Sequence, residues 1–131
     1  MRFNRTLVAF AALMSALAWT ATAHGADAIK FDAAAFVEAQ KTGKSILIDV
    51  HAPWCTTCKA QKVVLAELTA KLEFKDLIVF DIDFDTQKDE WKALGVQNRS
   101  TLIAFKGEKE TARSVSDTKK DSIEALLKSA L

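Results

Sequence analysis

Apolar residues recur along this chain at two spacings, and the alternation between them divides the polypeptide into predicted helices and strands. Helical spacing covers four segments: 31–40, 55–73, 86–94 and 119–131. Short apolar runs, rich in β-branched residues or alternating with polar ones, cover four more: 45–50, 77–84, 101–106 and 111–115. Asp32 is positioned to cap the first helix and Gly43 to end it, while Gly107 lies at the turn of a hairpin formed by the last two strands.

The order of these elements is helix, strand, helix, strand, helix, strand, strand, helix. Helical crossovers between the first strands imply parallel pairing, and the hairpin adds an antiparallel edge. The predicted fold class is therefore α/β, with a central mixed sheet of about four or five strands flanked by helices.

Residues 1–28 have the pattern of a secretory signal peptide rather than of a folded element. Arg2 and Arg5 form a basic start, residues 7–19 are apolar, and small residues follow. The apolar run is short for a transmembrane helix, although an uncleaved membrane anchor is an alternative. We therefore expect an exported protein that is located in the periplasm.

Cleavage after Ala23 or after Ala28 fits the preference for small residues at the processing site, which leaves residues 29–131 as a single domain. The whole chain has 18 Lys and Arg against 17 Asp and Glu. Removing residues 1–23 takes away two of the 18 basic side chains, so 16 remain against 17 acidic ones and the net charge becomes −1. This balance implies neither nucleic acid nor an anionic membrane as a partner, and we expect a monomer.

Both cysteines of the chain lie in the stretch Trp54-Cys55-Thr56-Thr57-Cys58, between a predicted strand and a predicted helix. At the start of the helix, unpaired N–H groups and the helix dipole favour a thiolate on Cys55, and Cys58, one turn later, could resolve a mixed disulfide. A disulfide that closes so short a loop adds little stability, and a structural zinc site normally needs four ligands. The pair therefore predicts a redox-active dithiol. Binding of a metal or cluster, with His51 as a further ligand, stays open as the alternative.

Asp49 interrupts an otherwise apolar strand shortly before this motif. Because burial raises the pKa of a carboxyl group, Asp49 could exchange protons near neutral pH; the alternative is a hydrogen-bonded residue at the end of the strand. In the next strand Asp81, Asp83 and Asp85 alternate with apolar residues, and we expect them to form a solvated acidic face. They lack the glycine and the bidentate glutamate that a calcium loop needs.

These features give residues 30–131 a resemblance to the thioredoxin superfamily. The resemblance rests on Ile46-Leu47-Ile48-Asp49, on Ala52-Pro53-Trp54-Cys55-Thr56-Thr57-Cys58-Lys59, on Gly95-Val96 followed by Thr101-Leu102-Ile103-Ala104-Phe105-Lys106-Gly107, and on the closing helix. It implies that Cys55 attacks substrate disulfides, that Cys58 resolves the mixed disulfide and that Asp49 helps to move the proton of Cys58. It also implies that Trp54 packs beside the dithiol.

The chain departs from the family pattern opposite the dithiol, where the family has a cis-proline and this sequence has Ser100. The peptide bond before Ser100 is either trans or a strained cis bond, since a non-proline cis bond costs about 2.5–4 kcal/mol. The Ser100 hydroxyl and N–H could both donate to a thiolate, and the Arg99 guanidinium beside them would lower the pKa of Cys55. The predicted substrate-binding residues are Trp54, Arg99, Ser100 and Thr101.

Together these residues predict an exported thiol:disulfide oxidoreductase that needs no cofactor and acts on a protein or small-molecule disulfide. Asp49 favours action as a reductase, although the Thr56-Thr57 pair resembles neither the Gly-Pro of reducing thioredoxins nor the Pro-His of strong periplasmic oxidants. A reductase in an oxidising compartment needs electrons, so we expect a membrane-bound thiol donor as its partner. The alternatives are a metal- or cluster-binding protein and a substrate-specific interaction module with little redox turnover.

Overall fold

The computed structural model describes residues 26–131, and its elements follow the apolar pattern of the sequence. The helices are α1 (Ala33–Lys41), α2 (Thr56–Thr69), α3 (Lys88–Ala93) and α4 (Lys120–Lys128). The strands are β1 (Ile29–Lys30), β2 (Ser45–His51), β3 (Ile78–Asp83), β4 (Thr101–Lys106) and β5 (Lys109–Val115). The predicted signal peptide lies outside the described residues except for 26–28.

The five strands form one mixed sheet in the order β1-β3-β2-β4-β5. β1, β3 and β2 run parallel, β4 is antiparallel to β2, and the hairpin turn places β5 antiparallel to β4 at the edge. This arrangement confirms the predicted α/β fold class with a parallel part and an antiparallel edge. Among the strands of residues 26–131, β1 alone is not predicted, because a strand of two exposed residues has no apolar pattern to detect.

Strand β2 lies at the centre of the sheet, and its side chains alternate between two faces that are covered by helices. Ile46, Ile48 and Val50 pack on the face covered by α1 and α3, whereas Leu47 and Asp49 point to the face of α2 and α4. The apolar side chains of this strand have no exposed surface, and burial of each contributes about 1.5–3 kcal/mol. β2 is therefore a rigid base for the loop at its carboxyl end.

The predicted helix 55–73 is wrong at its end. Helix α2 stops at Thr69, and after Lys71 adopts an extended conformation the chain forms a separate 3-10 turn at Leu72–Phe74. Leu72, which continued the helical apolar spacing, is 81% exposed, and Phe74 fills the core instead with 0% exposure. Val63, another residue of that spacing, is 71% exposed.

None of the helices in residues 26–131 combines the length and the apolar character that crossing a bilayer requires. The longest of them, α2, has 14 residues.

Candidate active site

The two cysteines lie where β2 passes into α2, as the sequence predicts. The turn after β2 is closed by the Cys55 N–H, which donates to the Ala52 carbonyl at 3.1 Å. Cys55 is then the N-cap of α2, and its Sγ accepts the N–H of Cys58 at 3.1 Å. The two residues form a disulfide with their Cα atoms 5.3 Å apart. A sulfur in this position faces the positive end of the helix dipole, which stabilises a thiolate once the disulfide is reduced.

Ser100 faces this pair from the loop before β4. Its Oγ lies 3.1 Å from the Sγ of Cys55 and 3.1 Å from the Sγ of Cys58. All peptide bonds of the described residues are trans, so the strained cis alternative is wrong, and Ser100 instead adopts a φ of 60°. The Ser100 N–H donates to the Val50 carbonyl at 2.7 Å, which leaves only the hydroxyl for a thiolate.

Gln61 is a site residue that the sequence analysis missed. Its side chain has 0% exposure, and its amide nitrogen donates to the Ser100 carbonyl at 3.2 Å and to the Asp117 carbonyl at 2.9 Å. The Ser100 carbonyl also accepts the N–H of Ser116 at 2.8 Å. Helix α2 is thereby tied to both loops that face the disulfide. The sequence feature that could have indicated this role is the position of Gln61, a polar residue three positions after Cys58 on the helix face that also carries the buried Leu65.

Trp54 and Arg99 form a stacked pair at the rim of the site. The guanidinium carbon of Arg99 lies 4.4 Å from the centroid of the Trp54 ring. The indole Nε1 donates to Asp85 at 2.8 Å, and the ring remains 56% exposed. Both side chains line an open cleft of about 600 Å³ that also contains Cys55 and Ser100. The structure therefore brings three of the four predicted substrate-binding residues together around Cys55.

Thr101 is set apart from that group. It is buried, its hydroxyl donates to the Asn98 carbonyl at 2.6 Å, and it does not line the cleft that contains Cys55. This geometry supports a role in shaping the loop rather than in touching a substrate.

Asp49 lies on the α2 side of the sheet with 3% of its surface exposed. Burial, reinforced by the neighbouring Asp81 carboxylate and opposed by Lys62, raises its pKa to about 7. One carboxylate oxygen of Asp49 has no hydrogen-bond partner among the described residues, and a cleft of about 280 Å³ beside it is lined by Lys62 and Asp81. A carboxyl group in this state can take up or release a proton near neutral pH.

Asp81 differs from the expected solvated face of β3. It pairs in register with Asp49, its side chain is only 21% exposed, and one of its oxygens is buried without a hydrogen-bond partner in residues 26–131. Lys62 Nζ lies 3.3 Å and His51 Nε2 3.6 Å from its other oxygen. Burial and the Lys62 ammonium lower the pKa of His51, which favours a neutral imidazole. Asp83 instead accepts the backbone N–H groups of the turn after β3.

His51 therefore faces Asp81 rather than completing a ligand set with the two cysteines. Within residues 26–131, no three His, Cys, Asp or Glu side chains come together in a group able to hold a metal ion. No contact in the described structure favours the metal-binding alternative.

Comparisons with known proteins agree with this geometry. The family model described as Thioredoxin matches residues 27–129. A thioredoxin of Chlamydia muridarum is 39% identical over 82 residues, which cover 63% of this chain and 78% of that protein. Protein disulfide-isomerase erp38 of Neurospora crassa is 39% identical over 72 residues, 53% of this chain and 20% of that protein.

A solved structure extends the similarity to three dimensions. The crystal structure of Trxlp from Edwardsiella tarda EIB202 superimposes with a TM-score of 0.74 at 37% identity, covering 77% of this chain and 98% of that one. The chain belongs to the thioredoxin family and is a thioredoxin-like thiol:disulfide oxidoreductase whose redox centre is the Cys55–Cys58 pair.

Proposed function

We propose that this protein is an exported, periplasmic disulfide reductase in which Cys55 attacks and Cys58 resolves. The observation that carries the assignment of roles is the position of Cys55 on the cleft. Both cysteines are almost fully buried, with 3% of Cys55 and 2% of Cys58 exposed, but only Cys55 lines the open cleft, so a disulfide that occupies the cleft meets Cys55 first. The N-cap position and the Ser100 hydroxyl both stabilise negative charge on that sulfur.

The reaction proceeds in two exchanges. The Cys55 thiolate attacks one sulfur of the substrate disulfide, which forms a mixed disulfide and releases the other sulfur as a thiolate. Asp49 in its carboxylate form takes the proton of Cys58. The Cys58 thiolate then attacks Cys55 Sγ, which closes the Cys55–Cys58 disulfide and releases the second substrate thiolate. Two electrons have passed from the protein dithiol to the substrate.

Asp49 supports the reductive direction. A carboxyl group whose pKa is about 7 is partly ionised at neutral pH, so it can accept the proton that Cys58 must lose before it attacks. Continued turnover in an oxidising compartment requires a reductant, for which we propose a membrane-bound thiol carrier. The basic start and apolar run of residues 1–28 support export, with cleavage after Ala23 or Ala28.

Trapping with cysteine variants tests the assignment of roles. Cys58→Ser should accumulate a mixed disulfide between Cys55 and its substrate, because no resolving thiol remains, whereas Cys55→Ser should accumulate none. Equal trapping by the two variants would overturn this assignment of roles.

A reduction potential nearer to about −270 mV than to about −120 mV would support the reductive direction. Terminal sequencing of the protein recovered from a periplasmic fraction tests export and the cleavage site.

A further inference from the structure

The Arg99 guanidinium is held in place but its hydrogen-bonding edge is not used. Its flat face rests on the Trp54 ring at 4.4 Å, and Trp54 is itself fixed by its hydrogen bond to Asp85. None of the hydrogen bonds or ion pairs among residues 26–131 involves the guanidinium of Arg99, which carries five N–H donors. Since stacking restricts its orientation, little further ordering is needed when it binds an acceptor.

Within the part of the chain that the structure describes, Arg99 is the one charged side chain that lines the cleft around Cys55. The other lining residues are all uncharged: Trp54, Cys55, Thr56, Thr57, Asn98, Ser100, Val115 and Ser116. Asp85 lies at the indole Nε1 and does not line the cleft. A substrate that occupies the cleft therefore meets a single, exposed positive charge in the same cleft as the attacking sulfur.

We propose that the Arg99–Trp54 pair makes this enzyme select disulfides that carry a carboxylate next to the attacked sulfur, a proposal that rests on the reductase function above. A guanidinium binds a carboxylate through two parallel hydrogen bonds. The chemical step is unchanged: Cys55 Sγ forms the new bond to the substrate sulfur, and the substrate disulfide breaks. The carboxylate is either an acidic side chain beside a protein cysteine or the terminal carboxylate of a small disulfide.

Matched substrates separate charge from shape. The reduced protein is mixed with peptide disulfides in which the residue beside cysteine is Glu in one and Gln in the other, and the second-order rate constant of the single turnover is measured for both. We expect a preference of roughly fivefold for the Glu peptide, decreasing as salt is added. In a second arm, a small cysteine-peptide disulfide with a free terminal carboxylate is compared with its amide. The arm with the larger ratio identifies the source of the carboxylate.

Variants connect the preference to this residue. Arg99→Gln should bring the ratio to about one, while Arg99→Lys should keep part of it, because an ammonium binds a carboxylate without the bidentate geometry. The ratio is unaffected by any change in Cys55 reactivity, since both peptides react with the same thiolate. Lys59→Gln removes an exposed charge of α2 that lies outside the cleft, so it should keep the full preference.

Failure of the selection proposal and failure of the reductase function give different results in these assays. If the wild type reduces the charged and uncharged members of both pairs at equal rates, or if Arg99→Gln keeps the preference, the selection proposal is wrong while the reductase function stands. If neither peptide nor small disulfide is reduced at all, the reductase function itself is wrong and the selection proposal falls with it.

Discussion

Replacing Asp49 by asparagine should remove a pH-dependent loss of stability. The pKa of this carboxyl group rises from an ordinary value of 3.8 to about 7 in the native protein, because burial and the Asp81 carboxylate disfavour its charged form. Below pH 3.8 the group is protonated in both the native and unfolded states, so its favourable contribution is fully present. As the pH rises towards 7, the unfolded chain releases the proton while the native protein retains it, and the contribution is lost.

The magnitude follows from the difference between the two pKa values. A change from 3.8 to about 7 corresponds to about 4 kcal/mol in the free energy of unfolding between a pH below 3.8 and a pH above about 7. Asp49→Asn has no proton to release, so its unfolding free energy should exceed that of the wild type by an amount that grows across this range. The same variant should turn over more slowly near neutral pH, because an amide cannot accept the proton of Cys58.

Urea unfolding of the oxidised protein at a series of pH values measures the effect without interference from the thiols. Asp76→Asn changes an exposed carboxylate and is the matched control, for which we expect a profile parallel to that of the wild type. Parallel profiles of Asp49→Asn and the wild type would show that the native protein does not hold the Asp49 proton more tightly than the unfolded chain. Unchanged turnover together with lower stability would assign Asp49 a structural role only.

Three further predictions concern the loop that faces the disulfide and its contact with α2. Ser100→Ala should raise the pKa of Cys55 by roughly 1 to 2, because the lost hydrogen bond to a charged sulfur is worth about 1.5–3 kcal/mol. Ser100→Pro should unfold at a lower urea concentration than the wild type, since proline can neither adopt a φ of 60° nor donate a hydrogen bond to the Val50 carbonyl. Thiolate absorbance titrations test the effect of Ser100→Ala, with Ser45→Ala as control, and an unchanged Cys55 pKa contradicts it. Urea unfolding tests the effect of Ser100→Pro, and wild-type stability of this variant contradicts it. Gln61→Met should lower stability by about 1–3 kcal/mol and also shift the Cys55 pKa, because Ser100 loses its anchor. Gln97→Met, which changes an exposed residue, is the control and should alter neither the stability nor the Cys55 pKa. If Gln61→Met lowers the stability without changing the Cys55 pKa, Gln61 is a structural residue rather than a positioning one.

The part of the site formed by neighbouring residues along the chain could be predicted from the sequence. A buried strand, a turn and an amphipathic helix place Cys55 at a helix N-terminus whatever the rest of the molecule does. Asp32 likewise caps α1 through the N–H of Ala35, as its position indicated. These features depend on local periodicity and capping, which a single sequence contains.

The part of the site formed by residues that are distant along the chain could not be predicted from the sequence. The partner of the Ser100 N–H is Val50, and that of Gln61 is Asp117, 56 positions away. Similarly, Asp81 is partly buried because β3 pairs with β2 in a register that places it beside Asp49. Side-chain alternation shows that Asp81 and Asp49 each occupy one face of a strand, but not which strands are neighbours.

Ser100 also bears on the direction of electron flow. A hydroxyl hydrogen-bonds more strongly to a thiolate than to an uncharged disulfide sulfur, with a difference of about 1 kcal/mol, so it stabilises the reduced form. For a two-electron couple this raises the reduction potential by about 20 mV, which opposes the reductive role that Asp49 favours. Because the N–H of Ser100 is used to hold the loop on β2, the hydroxyl alone sets this effect. The shift is small compared with the interval of roughly 150 mV between strongly reducing and strongly oxidising members of the superfamily, so the Ser100 hydroxyl alone does not decide the direction of electron flow.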